Sequence, residues 1–152
     1  MPDKPTVANS SCLIVLEATS LIGILEQLYG TITVPEAVAQ ESGPGLPAWV
    51  QVQPVQNQVL VQSLRLELEA GEAEAIALSI EQAAAHLILD DKKARRIARQ
   101  LQQPVTGTLA ILLRAKERSM IPSVRDAINA LIAAEFRVSD ALVQEILRQA
   151  GE

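Results

Sequence analysis

Short runs of apolar or β-branched residues, bounded by glycine, proline or polar residues, predict the strands of this chain. The runs are Thr6–Ala8, Thr31–Val34, Val50–Val52, Val59–Val61, Leu87–Leu89 and Pro104–Val105. Leu87–Leu89 is apolar throughout, as expected for a strand that is buried on both faces of a sheet. Val50–Val52 alternates apolar and polar residues and Val59–Val61 is a short apolar run, and each predicts a minor strand.

Between these runs, apolar residues recur with helical spacing. Segment 71–85 shows this spacing most clearly, with Ile76, Ile80, Ala83 and Ala84 on one stripe. The other predicted helices are Leu13 to Leu28, Pro35 to Glu41, residues 91–101, a segment starting near Leu109, and two C-terminal segments around Ile128 and Ile146. Gly23 weakens the prediction of the first of these helices. Ser123 and Asp126 form a capping pair at the start of the helix around Ile128. Strands that alternate with helices indicate a mostly parallel sheet, covered on both faces, in one domain over residues 1–152.

Composition narrows the possible functions. The chain has 152 residues and a net charge of −5, so any contact with a polyanion needs a local basic patch or a bound metal. Tyr29, Trp49 and Phe136 are its only aromatic residues, which argues against a protein that stacks nucleic-acid bases on aromatic side chains. The chain has one cysteine, Cys12, and one histidine, His86. A single cysteine excludes an internal disulfide, and the two counts together argue against catalytic triads and against zinc sites built from several cysteines or histidines.

Targeting sequences are not apparent. The longest early apolar run, Cys12–Leu16, is far too short for a signal sequence or a membrane span. We therefore expect a soluble, cytoplasmic protein that does not interact with membranes.

Polar residues follow several of the predicted strands. Asn9, the pair Asp90 and Asp91, and Thr106 all lie just past strand ends. In an open parallel sheet, ligands bind outside the carboxyl ends of the strands, where the strand order reverses, so we expect these residues to line one crevice. The alternative is helix capping, since aspartate is a favoured N-cap, but two consecutive aspartates exceed what one cap requires.

Glu72 shares the stripe that also carries Ile76, so its carboxylate is expected to face the core. Glu74 is rotated from Glu72 by roughly 200° and is expected to face solvent. A carboxylate that faces the core needs a partner or a metal, although an acid in the first helical turn also favours the helix dipole. Glu41 follows Val38 by three residues on its short helix and can point inward by the same reasoning.

Basic residues concentrate on the helix that follows the two aspartates, at positions Lys92, Lys93, Arg95, Arg96 and Arg99. They form either a solvated face or a surface along which a phosphate backbone lies. The turn Thr106–Thr108 offers hydroxyl groups and free backbone N–H groups at a helix N-terminus, or it is only a tight turn with Thr106 as the cap.

Six segments, taken in order, resemble PIN-like proteins, and most closely a prokaryotic branch related to toxin–antitoxin nucleases. The segments are VANSSCLI, VPEAVAQES, GEAEAIALS, LILDDKKARRIA, PVTGTLAIL and FRVSDALVQEIL. The resemblance implies a three-layer α/β/α fold with a four- or five-stranded, mostly parallel sheet. It also implies an acidic crevice that binds Mg²⁺ or Mn²⁺ and hydrolyses RNA.

Carried over residue by residue, the resemblance implies the metal and catalytic residues, whereas the basic helix and the Thr106–Thr108 turn described above indicate the nucleic-acid contacts. The expected metal ligands are Asn9, Glu41, Glu72, Asp90 and Asp91, of which Glu41, Glu72 and Asp91 are also expected to be catalytic. The expected nucleic-acid contacts are Lys92, Lys93, Arg95, Arg96, Thr106 and Thr108. Asn9 departs from the pattern, because PIN-like proteins usually carry aspartate there. An amide oxygen can still bind a cation, but it brings no charge, so we expect weakened metal binding.

Two functions therefore compete. The first is a metal-dependent ribonuclease, as in a toxin that is paired with a small antitoxin-like protein. The second is a PIN-like module that has lost catalysis and binds RNA or a protein partner, as the neutral Asn9 suggests. A receiver-like phosphoacceptor is disfavoured, because Lys92 and Lys93 follow the acids directly instead of ending a later strand. We also expect a homo-oligomer, formed through the apolar C-terminal helices.

Overall fold

A computed structural model describes residues 4–152, and the first three residues of the predicted 1–152 domain lie outside the described part. Within it, the strands are β1 (Thr6–Ala8), β2 (Ile32–Val34), β3 (Val50–Val52), β4 (His86–Ile88) and β5 (Val105–Thr106). The helices are α1 (Ser10–Ala18), α2 (Gly23–Tyr29), α3 (Glu36–Ser42), α4 (Gln58–Leu64), α5 (Ala70–Gln82), α6 (Lys92–Gln100), α7 (Thr108–Glu117), α8 (Val124–Ala133) and α9 (Asp140–Gln149).

The five strands form one sheet in the order β3-β2-β1-β4-β5, and every neighbouring pair is parallel. Val7 in the central strand pairs with Thr33 on one side and with Leu87 on the other. The chain leaves β1 towards β2 and β3 and then returns to the opposite side as β4. The strand order therefore reverses between β1 and β4, which places the expected ligand crevice outside the carboxyl ends of these two strands.

Alternate residues of the central strands face opposite layers of helices. Val7 and Leu87 pack in a core cluster with residues of α4, α5 and α6. Ala8 and Ile88 pack in a second cluster with residues of α1, α2, α7, α8 and α9. The three-layer α/β/α architecture with a parallel sheet is thus confirmed, and β1 and β4 each carry side chains for both cores.

Two sequence predictions about secondary structure were wrong. Val59–Val61 lies in α4, where Asn57 accepts a hydrogen bond from the backbone N–H of Leu60 at 3.0 Å and so caps the helix. Val61 and Leu64 are its buried residues, which is helical spacing. The single helix expected between Leu13 and Leu28 is divided into α1 and α2, because Ser20 adopts a left-handed φ of 61° just after α1.

The C-terminal helices turn most of their apolar side chains inward. Ile128 and Leu131 of α8, and Ile146 and Leu147 of α9, are buried in the core cluster that also contains α7. The surface invoked for self-association is therefore largely covered within the chain, and the homo-oligomer stays a prediction. Among residues 4–152, no helix combines the length and the apolar character that a membrane crossing requires.

Candidate active site

A cavity of about 780 Å³ opens at the carboxyl ends of β1 and β4. Its walls come from distant parts of the sequence and are formed by Asn9, Ser11, Glu72, Asp90, Asp91, Lys92, Arg95, Arg99, Gly107, Leu109, Ala110, Glu135, Phe136, Arg137, Val138, Ser139, Leu142 and Ile146. Glu72 and Asp91 also line a second cavity of about 510 Å³, together with residues 65–69 and Lys93. The structure thus brings Asn9, Glu72, Asp90 and Asp91 to the edge of the sheet where the sequence placed them.

Asn9 occupies the switch point itself. Its backbone N–H donates to the carbonyl oxygen of Ile88 at 3.0 Å, which holds it between β1 and β4. The residue is 6% exposed, and its Oδ1 atom is buried without a hydrogen-bond partner among residues 4–152. A buried acceptor without a partner costs roughly 1–3 kcal/mol. Asn9, a residue of the cavity wall, therefore carries an unsatisfied oxygen that destabilises the fold unless a ligand supplies the partner.

Asp90 is tied to the start of α7. Its Oδ1 accepts from the backbone N–H of Thr108 at 2.8 Å, and its Oδ2 accepts from the Thr108 hydroxyl at 2.6 Å. The Ser11 hydroxyl donates to the same Oδ2 at 3.3 Å. Both oxygens of Asp90 therefore have protein partners, and Asp90 anchors the crevice.

Asp91, in contrast, is the N-cap of α6. Its Oδ2 accepts from the backbone N–H of Ala94 at 2.9 Å. This bond fixes the carboxyl group at the mouth of both cavities, because the same residue lines each of them. Asp91, and not Asp90, therefore caps the helix, and this capping role is compatible with its place at the site.

The two threonines predicted to contact RNA are buried. Thr108 has no exposed surface, and it donates both its N–H and its hydroxyl to Asp90. Thr106 is 8% exposed within β5, and Gly107, not Thr106, is the N-cap of α7. In place of an RNA contact, the structure gives Thr108 the role of positioning Asp90.

Glu72 lies in the first turn of α5, and the backbone N–H of Glu69 donates to its Oε1 at 3.3 Å. Burial raises the pKa of the Glu72 carboxyl, and the charges of Asp91, Glu69 and Glu41 raise it further, against the opposing effect of the Glu69 hydrogen bond. Burial and the charges of these three acids therefore all disfavour the ionised form of Glu72.

Glu41 approaches Glu72 from the neighbouring helix α3. The Ser10 hydroxyl donates to its Oε2 at 2.6 Å. Its carboxyl group lies against the backbone of α5, because a Cβ added at Gly71 would come within 2.5 and 2.8 Å of the two Glu41 oxygens. Gly71 therefore makes room for Glu41. Glu74, expected in solvent, instead accepts from the backbone N–H of Ala37 at 3.2 Å and joins α5 to α3.

The acids do not form a complete cluster. Within residues 4–152, no group of three or more histidine, cysteine, aspartate and glutamate side chains has the arrangement of a metal site. Glu41 is bonded to Ser10 and does not line the large cavity. A cation bound here would therefore rely on Asn9 as well as on carboxylates.

The basic residues of α6 divide into three groups. Lys92, Arg95 and Arg99 line the large cavity. Lys93 lines the smaller one and pairs with Glu67 at 3.9 Å, whereas Arg96 is exposed and lines neither cavity.

Arg95 reaches furthest into the site. Its Nη1 lies over Gly107, where an added Cβ would be 2.5 Å away. Burial and the nearby charge of Arg99 lower the pKa of the Arg95 guanidinium, and Asp90 opposes this effect. Two arginine charges are thus held close together beside an acid, an arrangement suited to binding a phosphate group.

Sequence reasoning missed one wall of the cavity. The segment between α8 and α9 contributes Phe136, Arg137 and Val138, and α9 contributes Leu142 and Ile146. The spacing of apolar residues shows which face of each helix is buried, but it does not show that the connecting segment covers the end of the sheet. The signal in the sequence that could have revealed this wall is Phe136, a rare aromatic residue, followed directly by Arg137 in a short linker.

Comparison with known families agrees with this geometry. A family model described as a PIN domain matches residues 5–152. A comparison with curated proteins gives no significant match. Because the family match covers nearly the whole chain, the chain belongs to the PIN-domain family.

Proposed function

We propose that this PIN-domain protein is a ribonuclease that depends on Mg²⁺ or Mn²⁺. One observation carries the proposal: the buried Oδ1 of Asn9 has no partner among the described residues, and Asn9 is one of the residues that line the same cavity as Glu72 and Asp91. A divalent cation bound by these three residues would supply the missing partner and offset the burial and the charge repulsion that raise the pKa of Glu72.

The residues present have the right donor atoms for such a cation, but too few of them. All the donors are oxygens, which hard divalent cations prefer. Both oxygens of Asp90 are already bonded, and Glu41 is held by Ser10, so these two acids support the site from its edges. We therefore expect weak binding, in keeping with the amide at position 9.

Substrate binding is assigned to the basic part of the wall. Lys92, Arg95 and Arg99 would hold the RNA phosphates beside the acids. The bound cation would polarise the scissile phosphate and lower the pKa of an attacking water. The Glu72 carboxylate, which lines the same cavity, is assigned the role of accepting the proton from that water.

Cation binding and cleavage test the proposal together. Purified protein with Mn²⁺ is expected to cleave single-stranded RNA, and EDTA should abolish the cleavage. Glu72→Gln should lower the rate by roughly 100-fold or more, because it removes a cation ligand and a proton acceptor. Glu117→Gln, an exposed carboxylate at the end of α7 away from the cavity, is the matched control and should keep full activity. Equal rates for wild type and Glu72→Gln would contradict the proposal and indicate a contaminating nuclease.

A non-catalytic binding module is the second candidate, favoured by the neutral Asn9 and by the incomplete carboxylate cluster in residues 4–152. Titration calorimetry with Mn²⁺ separates the two. Under the first proposal the wild type releases or absorbs heat, and Asn9→Asp binds more tightly but is less stable without metal, because it buries another charge. Heat and cleavage only with Asn9→Asp would establish the second candidate.

A toxin-like role rests on the family and not on the geometry. It predicts that a small antitoxin-like protein is encoded next to this chain, binds it, and inhibits cleavage. Co-expression of the adjacent reading frame, followed by co-purification and the same cleavage assay, checks this role. Undiminished cleavage by the purified complex would rule it out.

A further inference from the structure

Part of the large cavity is apolar and cannot serve a metal site. This part is formed by Leu109, Ala110, Phe136, Val138, Leu142 and Ile146. Leu109 and Ile146 are buried, Phe136 and Val138 are half-buried, and Leu142 is 39% exposed. Apolar side chains that open into a concave site are typical of a surface that binds a flat or apolar part of a ligand.

The same cavity contains the charges that a phosphate group needs. Arg137 lines it beside Phe136, and Lys92, Arg95 and Arg99 line it from α6. The wall of this cavity of about 780 Å³ also carries four acids, Glu72, Asp90, Asp91 and Glu135. Its four cationic side chains together with the apolar surface match a nucleotide, which joins an aromatic base to an anionic phosphate. A peptide segment would match the apolar surface but would leave the arginines without partners unless it were acidic.

We infer that the apolar part of this cavity binds one unpaired RNA base, stacked on Phe136, while Arg95, Arg99 and Arg137 bind its flanking phosphates. This inference rests on the proposed function and adds to it a position that binds one base of the single-stranded RNA. A base within a duplex is already stacked and paired, so it cannot enter the cavity without being extruded. Composition argued against base stacking because aromatic residues are few, but one phenylalanine at this position is sufficient for one base.

Binding without catalysis tests the inference. In EDTA, a short single-stranded RNA that carries 2-aminopurine should bind the wild type with quenched fluorescence, and the same sequence in a blunt duplex should bind at least about tenfold more weakly. Phe136→Leu keeps an apolar side chain at a position that also packs against the core, but it removes the aromatic face. It should weaken binding roughly 5- to 100-fold and abolish the quenching, whereas Phe136→Trp should retain both.

Matched controls lie outside the cavity. Ile132→Ala removes an exposed apolar side chain of α8 and should leave RNA affinity unchanged. Arg137→Gln should weaken binding, and Arg118→Gln, an exposed arginine just after α7, should not. The inference would be overturned by equal affinity for the single strand and the duplex, by full affinity and quenching in a folded Phe136→Leu variant, or by no binding of single-stranded RNA to the wild type.

Failure of the inference is distinguishable from failure of the proposed function. Phe136-dependent binding without any metal-dependent cleavage would refute the ribonuclease and keep the base site. Metal-dependent cleavage that is lost in Glu72→Gln, but is unchanged for Phe136→Leu and equal for single strand and duplex, would keep the ribonuclease and refute the base site.

Discussion

Thr108 holds both oxygens of Asp90, one through its backbone N–H at 2.8 Å and the other through its hydroxyl at 2.6 Å. The two residues are 18 positions apart in the chain, and the pair joins the end of β4 to the first residue of α7. A charged acceptor with two short bonds is strongly oriented. Because Asp90 adjoins Asp91 in the sequence, this pair also helps to determine where the acidic edge of the crevice lies.

Thr108→Val keeps the shape of the side chain but removes the hydroxyl donor to Asp90. Hydrogen bonds to charged groups contribute roughly 1.5–3 kcal/mol, so the free energy of unfolding should fall by about 2 kcal/mol. Urea unfolding measures the change. Thr106→Val is the matched control, because Thr106 is also buried but no hydrogen bond joins its hydroxyl to Asp90. Equal losses in the two variants would contradict the role given to Thr108.

Gly71→Ala should displace the Glu41 side chain without destabilising α5. The added methyl group would come within 2.5 and 2.8 Å of the Glu41 oxygens and displace the end of that side chain from Ser10. Alanine is favoured over glycine in a helix by up to about 1 kcal/mol, so thermal stability should change little. Mn²⁺ affinity, measured by calorimetry, should fall.

The control for that variant is Gly23→Ala, at the first residue of α2. A Cβ there meets nothing within 4 Å among the described residues, so only the backbone effect remains. Unchanged Mn²⁺ affinity in Gly71→Ala, with a change in stability no different from that of Gly23→Ala, would show that Glu41 has no part in the site.

Glu72→Gln should stabilise the metal-free protein at neutral pH. Burial and neighbouring acids raise the pKa of Glu72 in the folded chain, so its ionised form is disfavoured there. The resulting loss of stability appears as the pH rises through the raised folded pKa, and it is absent below the ordinary pKa of glutamate. Glutamine still accepts the Glu69 N–H. Melting temperatures in EDTA should therefore be higher for Glu72→Gln at neutral pH and converge at acidic pH; a variant less stable at neutral pH would exclude this account.

Glu152 connects the end of α7 to the start of α8. Its carboxylate accepts from Lys116 Nζ at 2.7 Å, the Ser123 hydroxyl at 3.0 Å and the backbone N–H groups of Val124 and Arg125 at 2.8 and 3.1 Å. The hydrogen bonds from Lys116 and from these backbone groups lower the pKa of Glu152 from 4.5 to about 2.

A lowered carboxyl pKa stabilises the fold above the unfolded value of 4.5, and this contribution is lost as the pH falls towards about 2. Glu152→Gln should therefore lower the melting temperature at neutral pH and have little effect near the folded pKa. Glu117→Gln is the control, because Glu117 is also an exposed carboxylate near the end of α7, and no hydrogen bond or ion pair joins it to α8 within residues 4–152. The same loss in both variants at neutral pH would refute the proposed link between the helices.

Much of the site was predictable because parallel strands all end at one edge of a sheet. Asn9, Asp90 and Asp91 follow recognisable strands, and Glu72 shares a stripe with Ile76, so their convergence follows from local patterns and general topology. Val59–Val61 was predicted wrongly as a strand, since a run of three apolar residues also fits one turn of a helix. Only packing against α5 and the Asn57 cap distinguish the two.

The roles of adjacent residues required the tertiary structure. Nothing local distinguishes Asp90 from Asp91, yet one bonds to Thr108 on a distant helix while the other caps its own. Glu74, which was expected to face solvent, likewise bonds to the N-terminus of α3, because that helix packs against α5.

By itself, the sequence determined the order of most strands and helices, the parallel sheet, and the edge at which Asn9 and the acids meet, because these follow from local periodicity and chain connectivity. Only the tertiary structure decided that Asn9 keeps a buried oxygen without a partner among the described residues, and that Phe136 and Arg137 form part of the same cavity. Those contacts join residues far apart in the chain, and local patterns carry no information about which distant segments pack together.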